Sequence, residues 1–300
     1  MKKKTYLFAL MAMALTLGSC SDNENGIGGE TSKYITVSTS IGNMTRVATD
    51  ANGGQTFEEG DEISVYAWTG DATVAPETRE RVVNNAINKL TNGSWVSTPQ
   101  MLWKNNRDKH YFIGVYPTAA ISDLSAGEYT FDANKQTESD LLVAVNPDGL
   151  SYSADAQQTV PLTFTHVMAK LVVNLTYKNQ WGGIPTVEKV VVGNAAKEAT
   201  VNYLTKVVTP STTAKEDFSL PEITENTKYV SVIIPQEEVT QLTIVIGGKN
   251  FVYDNGTPFK LESGKITTVN LEVGRDEIKL GDVKITDWED GSTFGGEALN

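Results

Sequence analysis

Side chains able to do chemistry are scarce in this chain. Its 300 residues include two histidines, His110 and His166, and one cysteine, Cys20. A single cysteine excludes an internal disulfide framework and a cysteine-rich metal site. Two histidines leave little material for a zinc centre or an imidazole relay. Serine, aspartate and glutamate are plentiful, so counting does not exclude a Ser/His/Asp set or a carboxylate pair. Yet there is no G-x-S-x-G elbow, no H-E-x-x-H, no G-x-x-x-x-G-K-[ST] and no G-x-G-x-x-G between strand and helix. His166, in Phe164-Thr165-His166-Val167, and His110, between Lys109 and Tyr111, read as packing or capping residues. Residues 132–140 (DANKQTESD) carry an acid at each end without the ligand rhythm of a calcium loop, and 287–291 (DWEDG) read as a solvated turn. The expectation is no catalytic residue, no metal and no cofactor.

The charge balance narrows the partners. Acidic residues number 37 against 25 basic ones, a net charge of −12, which argues against binding nucleic acid, where cations must meet phosphates. A hydrophobic fraction of 40% is enough for a packed core, and the length suits two domains. Trp68, Trp95, Trp103, Trp181 and Trp288 would make a sugar-binding platform if several faced outward together; core and rim packing is the commoner fate of such rings.

The N-terminus reads as an address. Met1-Lys2-Lys3-Lys4 is basic, and the apolar run that follows to Leu17 is too short to span a hydrocarbon core. Leu17-Gly18-Ser19-Cys20 resembles the bacterial lipobox, whose cysteine becomes the acylated first residue of the mature protein. Residues 1–19 are then a lipoprotein signal peptide with Cys20 as the lipidation site. Several acyl chains on one residue anchor firmly where a single chain does not. Residues 20–32, polar, acidic and Gly-rich, form a flexible tether.

Beyond the tether the pattern is strands. In 34–41 (YITVSTSI), Ile35, Val37, Thr39 and Ile41 share one face, a period of two. Further strands are expected at 62–68, 81–90, 110–116, 140–145, 159–164, 166–177, 187–193, 199–203, 228–234, 241–247, 250–253, 266–273 and 278–288. The spacing in 81–90 also suits a short helix, but its central asparagines and paired valines favour a strand. Turn signals fall at Asn92-Gly93, Pro147-Asp148-Gly149, Gly247-Gly248 and Asp254-Asn255-Gly256. Many short antiparallel strands without intervening helices predict an all-β fold of β-sandwiches. The Gly-rich 179–185 marks the boundary, giving an N-terminal domain over 33–178 and a C-terminal domain over 179–300.

Five ordered blocks carry a resemblance. Phe57-Glu58-Glu59-Gly60-Asp61-Glu62-Ile63-Ser64-Val65-Tyr66-Ala67-Trp68 resembles the F-x-x-G-D-x-I-x-V-Y-x-W block of fimbrillin-like proteins. Trp95 and Trp103, then Tyr111-Phe112-Ile113-Gly114-Val115-Tyr116-Pro117, are similar to that family's W…W…F-x-x-Y-x-P segment. Asp140-Leu141-Leu142-Val143-Ala144 and Leu162-Thr163-Phe164-Thr165-His166-Val167-Met168-Ala169-Lys170-Leu171 resemble its D-L-L-x-A and L-x-F-x-H-x-x-A-K-L blocks. Ile285-Thr286-Asp287-Trp288 with Gly291 resembles its closing I-x-x-W-x-x-G.

The resemblance implies a type V pilin precursor with two tandem transthyretin-like β-sandwich domains, not an enzyme. It implies export to the outer membrane as a lipoprotein, then loss of the first strand to a trypsin-like, often Arg-specific, protease. Arg46 is the suitable site, with Val47 as the new first residue, in a small polar stretch directly after the strand; a cut at Lys33 frees only the tether. The displaced strand carries Ile35, Val37, Thr39 and Ile41. A strand from a neighbouring subunit fills the vacated groove. The candidate donor is 278–285, where Ile278 and Leu280 form one apolar pair and Val283 and Ile285 a second, shifted by a residue at Gly281-Asp282, which suggests a bulge or two short strands. Expected partners are other pilin subunits, the outer membrane through the lipid, the processing protease and a host or bacterial surface receptor. The location is the cell surface or a fimbrium. An alternative is a surface glycan-binding lipoprotein of a nutrient-uptake system; a secreted hydrolase built on His166 or a carboxylate pair is a third.

Overall fold

The computed structural model describes residues 33–42, 56–154 and 158–288. Apart from two single 3₁₀ turns, Thr78–Glu80 and Asn179–Trp181, its regular elements are strands. In chain order these are β1 (Thr36–Ile41), β2 (Glu62–Thr69), β3 (Val83–Thr91), β4 (Ser94–Thr98), β5 (His110–Tyr116), β6 (Gly127–Thr130), β7 (Leu142–Leu150) and β8 (Thr159–His166). Then follow β9 (Ala169–Tyr177), β10 (Val187–Ala196), β11 (Glu198–Asn202), β12 (Val207–Pro210), β13 (Lys215–Ser219) and β14 (Glu222–Thr224). The chain continues through β15 (Lys228–Ile233), β16 (Gln236–Ile246), β17 (Lys249–Leu261), β18 (Lys265–Val273) and β19 (Ile278–Asp287). The fold is all-β.

The first eight strands, β6 excepted, make one seven-stranded sheet in the order β1-β8-β7-β5-β2-β3-β4. Its two edges meet. Tyr34 bridges Leu102 just after β4, the Ile35 amide donates to the Met101 carbonyl at 2.9 Å, and the Trp103 amide donates to the Lys33 carbonyl at 3.2 Å. The sheet therefore wraps a core of its own, in which Ile63, Val65, Phe112, Ala144, Val160, Leu162 and Phe164 are buried. Tyr66, Trp68, Ile113 and Val115 point from the same strands to the other face and join a second core shared with the later strands. Both faces of β2 and β5 are thus covered, which is why these segments read as nearly continuous apolar runs rather than as strict alternation.

The later strands form a four-stranded sheet, β13-β10-β16-β17, and a five-stranded sheet, β14-β15-β9-β18-β19. A third sheet, β12-β11-β6, takes β6 from the first half of the chain and pairs it with β11 from the second. Two pairings depart from the antiparallel expectation: β1 runs parallel to β8, and β9 runs parallel to β18. β9, which the strand pattern alone placed before the 179–185 segment, lies at the centre of the five-stranded sheet between β15 and β18. The segment expected at 81–90 is strand rather than helix, as its asparagines and valines suggested, but it begins at Val83: β3 reaches Thr91 and turns at Asn92-Gly93, both at positive φ, into β4. Two other turn signals lie inside strands. Pro147-Asp148-Gly149 belongs to β7 and Asp254-Asn255-Gly256 to β17, each beside a break in the pairing register, so these signals mark irregular pairing rather than a reversal.

Candidate functional site

The site is built around β1. Its alternation places Ile35, Val37 and Ile41 inward at 3%, 6% and 8% exposure, while Thr39 on the same face is half-buried. β1 pairs with β8 from Thr36↔Thr159 to Ile41↔Phe164, and the Gly42 amide extends the ladder to the Phe164 carbonyl at 2.8 Å. Hydroxyls line the same edge: Ser40 Oγ donates to Thr163 Oγ1 at 3.2 Å, and Thr36 and Thr159 share a bond of the same length. On its opposite edge, Trp95 Nε1 of β4 donates to Thr39 Oγ1 at 3.0 Å. β1 is thus a strand held between two edges, and its removal leaves both edges and the apolar row beneath them uncovered.

After Gly42 the backbone is next described at residue 56, and Phe57 is fixed by edge-on contacts with Trp95, Tyr116 and Phe164 at centroid distances of 5.3, 5.4 and 5.1 Å. The Phe57–Asp61 block then turns tightly. Gly60 adopts φ +98°, the Glu58 amide donates to Asp61 Oδ2 at 2.7 Å, and the Leu90 amide donates to the Asp61 carbonyl at 2.8 Å. The chain thus rejoins the sheet at Phe57–Asp61 through contacts that involve no residue of β1. Arg46 and Val47, like Cys20 and the 20–32 segment, lie outside the described residues.

The second element is β19, the edge of the five-stranded sheet, paired only with β18. Opposite the Asn270–Leu271 step its register slips by one residue at Gly281, so of the two possibilities the sequence left open it is the bulge, not two short strands, that forms. The slip sets Leu280 opposite Leu271, Val283 opposite Val269 and Ile285 opposite Thr267, so both apolar pairs share one face despite their different parity. Ile278 and Leu280 pack on the shared core, whereas Val283 and Ile285 remain 37% and 40% exposed. Beyond them Trp288 is buried again. Its indole stacks on the His166 imidazole at 4.0 Å and 5°, and the Lys170 ammonium lies 5.3 Å from the ring.

The residues first considered for catalysis are all engaged in structure. His110 is fully buried; its Nε2 accepts the Lys104 amide at 3.0 Å and its Nδ1 faces the Asp108 carbonyl at 3.1 Å, which fixes a neutral ring. Burial is the main force holding its pKa below the ordinary histidine value. His166 Nδ1 is held by Asp140 at 2.9 Å. In the 132–140 loop, Gln136 Oε1 accepts the Val232 amide at 2.7 Å, docking the loop onto β15. Asp287 pairs with Lys265. Among the described residues no three His, Cys, Asp or Glu side chains converge as metal ligands.

The tryptophans are dispersed rather than gathered. Trp68 is buried with its Nε1 on the Asp71 carbonyl, Trp95 holds β1, and Trp103 lies edge-on to His110 and Phe112. Trp181 donates to the Val273 carbonyl, and Trp288 stacks on His166. Trp68 and Trp103 do line an open groove of about 760 Å³ with Arg79, Lys104 and the exposed Val74 and Leu102.

Comparison with known proteins gives a consistent result. The family model described as fimbrillin-like matches residues 45–288. A candidate fimbrium subunit, Fim1C of Bacteroides uniformis, is 25% identical over an alignment covering 100% of this chain and 99% of that one. Among solved structures, a candidate cell adhesion protein from Bacteroides uniformis superposes with a TM-score of 0.64 at 19% identity, covering 86% of this chain and 100% of that one. Another, from Bacteroides ovatus, gives 0.62 at 18% identity, covering 85% and 98%. At these identities the two structures speak for the fold.

Proposed function

The chain belongs to the fimbrillin-like family, and from that premise we propose that it is a fimbrial subunit exported as a lipoprotein and assembled by loss of β1 and strand exchange between copies. In this reading Cys20 carries the lipid and holds the precursor in the outer membrane. A trypsin-like protease cuts between Arg46 and Val47, in the connection between Gly42 and Phe57. β1 leaves, and a neighbour's β19 segment, with Ile278, Leu280, Val283 and Ile285, takes its place. The product is a polymer at the cell surface that meets a host or bacterial receptor; no catalytic step is involved.

The observation that carries the reading is the seating of β1. Among the described residues it is the first strand, and it closes a sheet between two edges. Its loss uncovers an apolar groove with unpaired backbone on both sides, which favours capture of a replacement strand. We also divide the chain into two tandem transthyretin-like sandwiches, with β9 assigned to the second because its pairing partners are β15 and β18.

The experiment is intact mass measurement and N-terminal sequencing of the protein from membrane fractions and from sheared filaments. A chain beginning at Val47 in high-molecular-weight filaments is expected. Recovery only of acylated chain beginning at Cys20, confined to membranes, would overturn the exchange reading and leave an unprocessed surface lipoprotein.

A further inference from the structure

β19 is poorly held along its length. It pairs on one side only, most of its residues are exposed, and its second apolar pair is incompletely covered. At its end the situation reverses. Trp288 is 9% exposed, its amide donates to the Gly264 carbonyl at 3.0 Å, and its ring lies flat on His166. A buried indole with a stacked partner outweighs the half-covered aliphatic side chains that precede it, so the strand is fastened at its C-terminal end.

The partner of that ring is not on β18. His166 is the last residue of β8, oriented by Asp140 at 2.9 Å. β8 is the strand that β1 braces: it pairs with β1 from Thr159 to Phe164, but with β7 only from Phe164 to His166. Val160, Leu162 and Phe164 of β8 are buried in the same core as Val37 and Ile41 of β1 and Ile35 just before it. Without β1, β8 keeps the three-residue ladder to β7 that ends at His166 and loses its pairing partner from Thr159 to Thr163, so the strand that carries His166 is braced at its C-terminal end alone.

We propose that Trp288 is the catch that keeps β19 in its own sheet, and that β8 makes this catch depend on β1, so that a subunit frees its last strand only after its first has gone. The proposal rests on the exchange reading above and adds an order to it. A precursor with β1 in place has its acceptor groove filled and its donor fastened, and it cannot join a neighbour from either end. The coupling element is β8, which pairs with β1 and stacks His166 on Trp288 just beyond β19.

The test is amide hydrogen exchange of 278–287, followed by mass spectrometry in the monomeric mature chain with Cys20→Ser in place of the lipid site. Trp288→Ala is expected to speed exchange in this segment by about tenfold or more while β2 and β5 stay protected. Val37→Ala, which loosens β1, is expected to act in the same direction with Trp288 intact. In a Ser40→Cys/Thr163→Cys chain, oxidation fastens β1 to β8 and is expected to slow exchange in β19 relative to the same chain reduced. Exchange in β19 that stays within about twofold under the β1 perturbations overturns the coupling, and an unchanged rate in Trp288→Ala overturns the catch. Filament assembly, scored separately, distinguishes the two readings. Coupled exchange without filaments supports the catch and refutes strand exchange between copies; filaments with uncoupled exchange refute the catch alone.

Discussion

A chain that begins at Val47 lacks β1, and the buried side chains of that strand set the size of the loss. Ile35, Val37 and Ile41 are 3%, 6% and 8% exposed. At ~1.5–3 kcal/mol for each buried aliphatic side chain, uncovering their contacts costs about 5–9 kcal/mol. The backbone bonds to β8 and Met101 are exchanged for bonds to water and add less, about 0.5–1.5 kcal/mol each. A loss of this size is comparable with the whole stability of an ordinary domain, about 5–15 kcal/mol. At roughly 2–4 °C per kcal/mol, it corresponds to a fall in Tm of about 10–35 °C. Scanning calorimetry of the chain beginning at Val47 against the chain beginning at Cys20→Ser measures it directly. A synthetic peptide of residues 33–42 is expected to restore most of the difference, and the same peptide carrying Ile41→Asp to restore little, because a carboxylate at that position must be desolvated. A fall smaller than about 3 °C, or equal rescue by both peptides, would refute the argument that β1 is a structural keystone held by its apolar row.

Other changes bear on other parts of the structure. Deleting 278–300 removes β19 and is expected to leave soluble chains that do not polymerise, as seen by size-exclusion chromatography and electron microscopy; normal filaments would exclude this segment as the donor. Tyr66 is fully buried, and its hydroxyl donates to the Ala119 carbonyl and accepts the Ile121 amide at 2.9 Å. Tyr66→Phe therefore strands both groups and is expected to cost about 2–4 kcal/mol in guanidinium unfolding. Burial pushes the Lys170 ammonium down to about 8 against an ordinary 10.5, with Asp140 acting in the opposite direction. The unfolded chain then binds more protons than the folded one between these values, so the burial penalty is complete below about 8 and is relieved as pH rises toward 10.5. Stability measured from pH 7.5 to 9.5 (denaturant midpoints, order ~0.5 pH steps) should therefore rise more in the native sequence than in Lys170→Met. An identical slope in both would refute the assignment.

Much of this was legible from residues that act locally. Period-two alternation located β1 and its inward row, because side-chain direction along a strand depends only on parity. The parity change between Leu280 and Val283 located a bulge, and Gly281 is where β18 and β19 slip. Asn92-Gly93 announced a hairpin, yet β4 beyond it was missed, since Ser94–Thr98 is a short, half-exposed edge with little apolar signal. β6, β12, β13 and β14 were missed for the same reason. The poverty of histidine and cysteine, and the lipobox-like Cys20, are properties of composition and order alone.

Tertiary structure decided everything that depends on a distant partner. Backbone amides and carbonyls are the same at every residue, so no local pattern tells β1 to lie parallel to β8 or β9 to lie parallel to β18. His166 and Trp288 each looked unremarkable in its own segment; only the fold lays one ring on the other. Sequence determined where the strongly alternating strands lie, which of their faces are apolar and which residues are available for chemistry, because those follow from side chains a few positions apart. Strand order, the closing of a sheet by its first strand, and the fastening of its last strand to the neighbour of the first were decided by packing among residues more than a hundred positions apart.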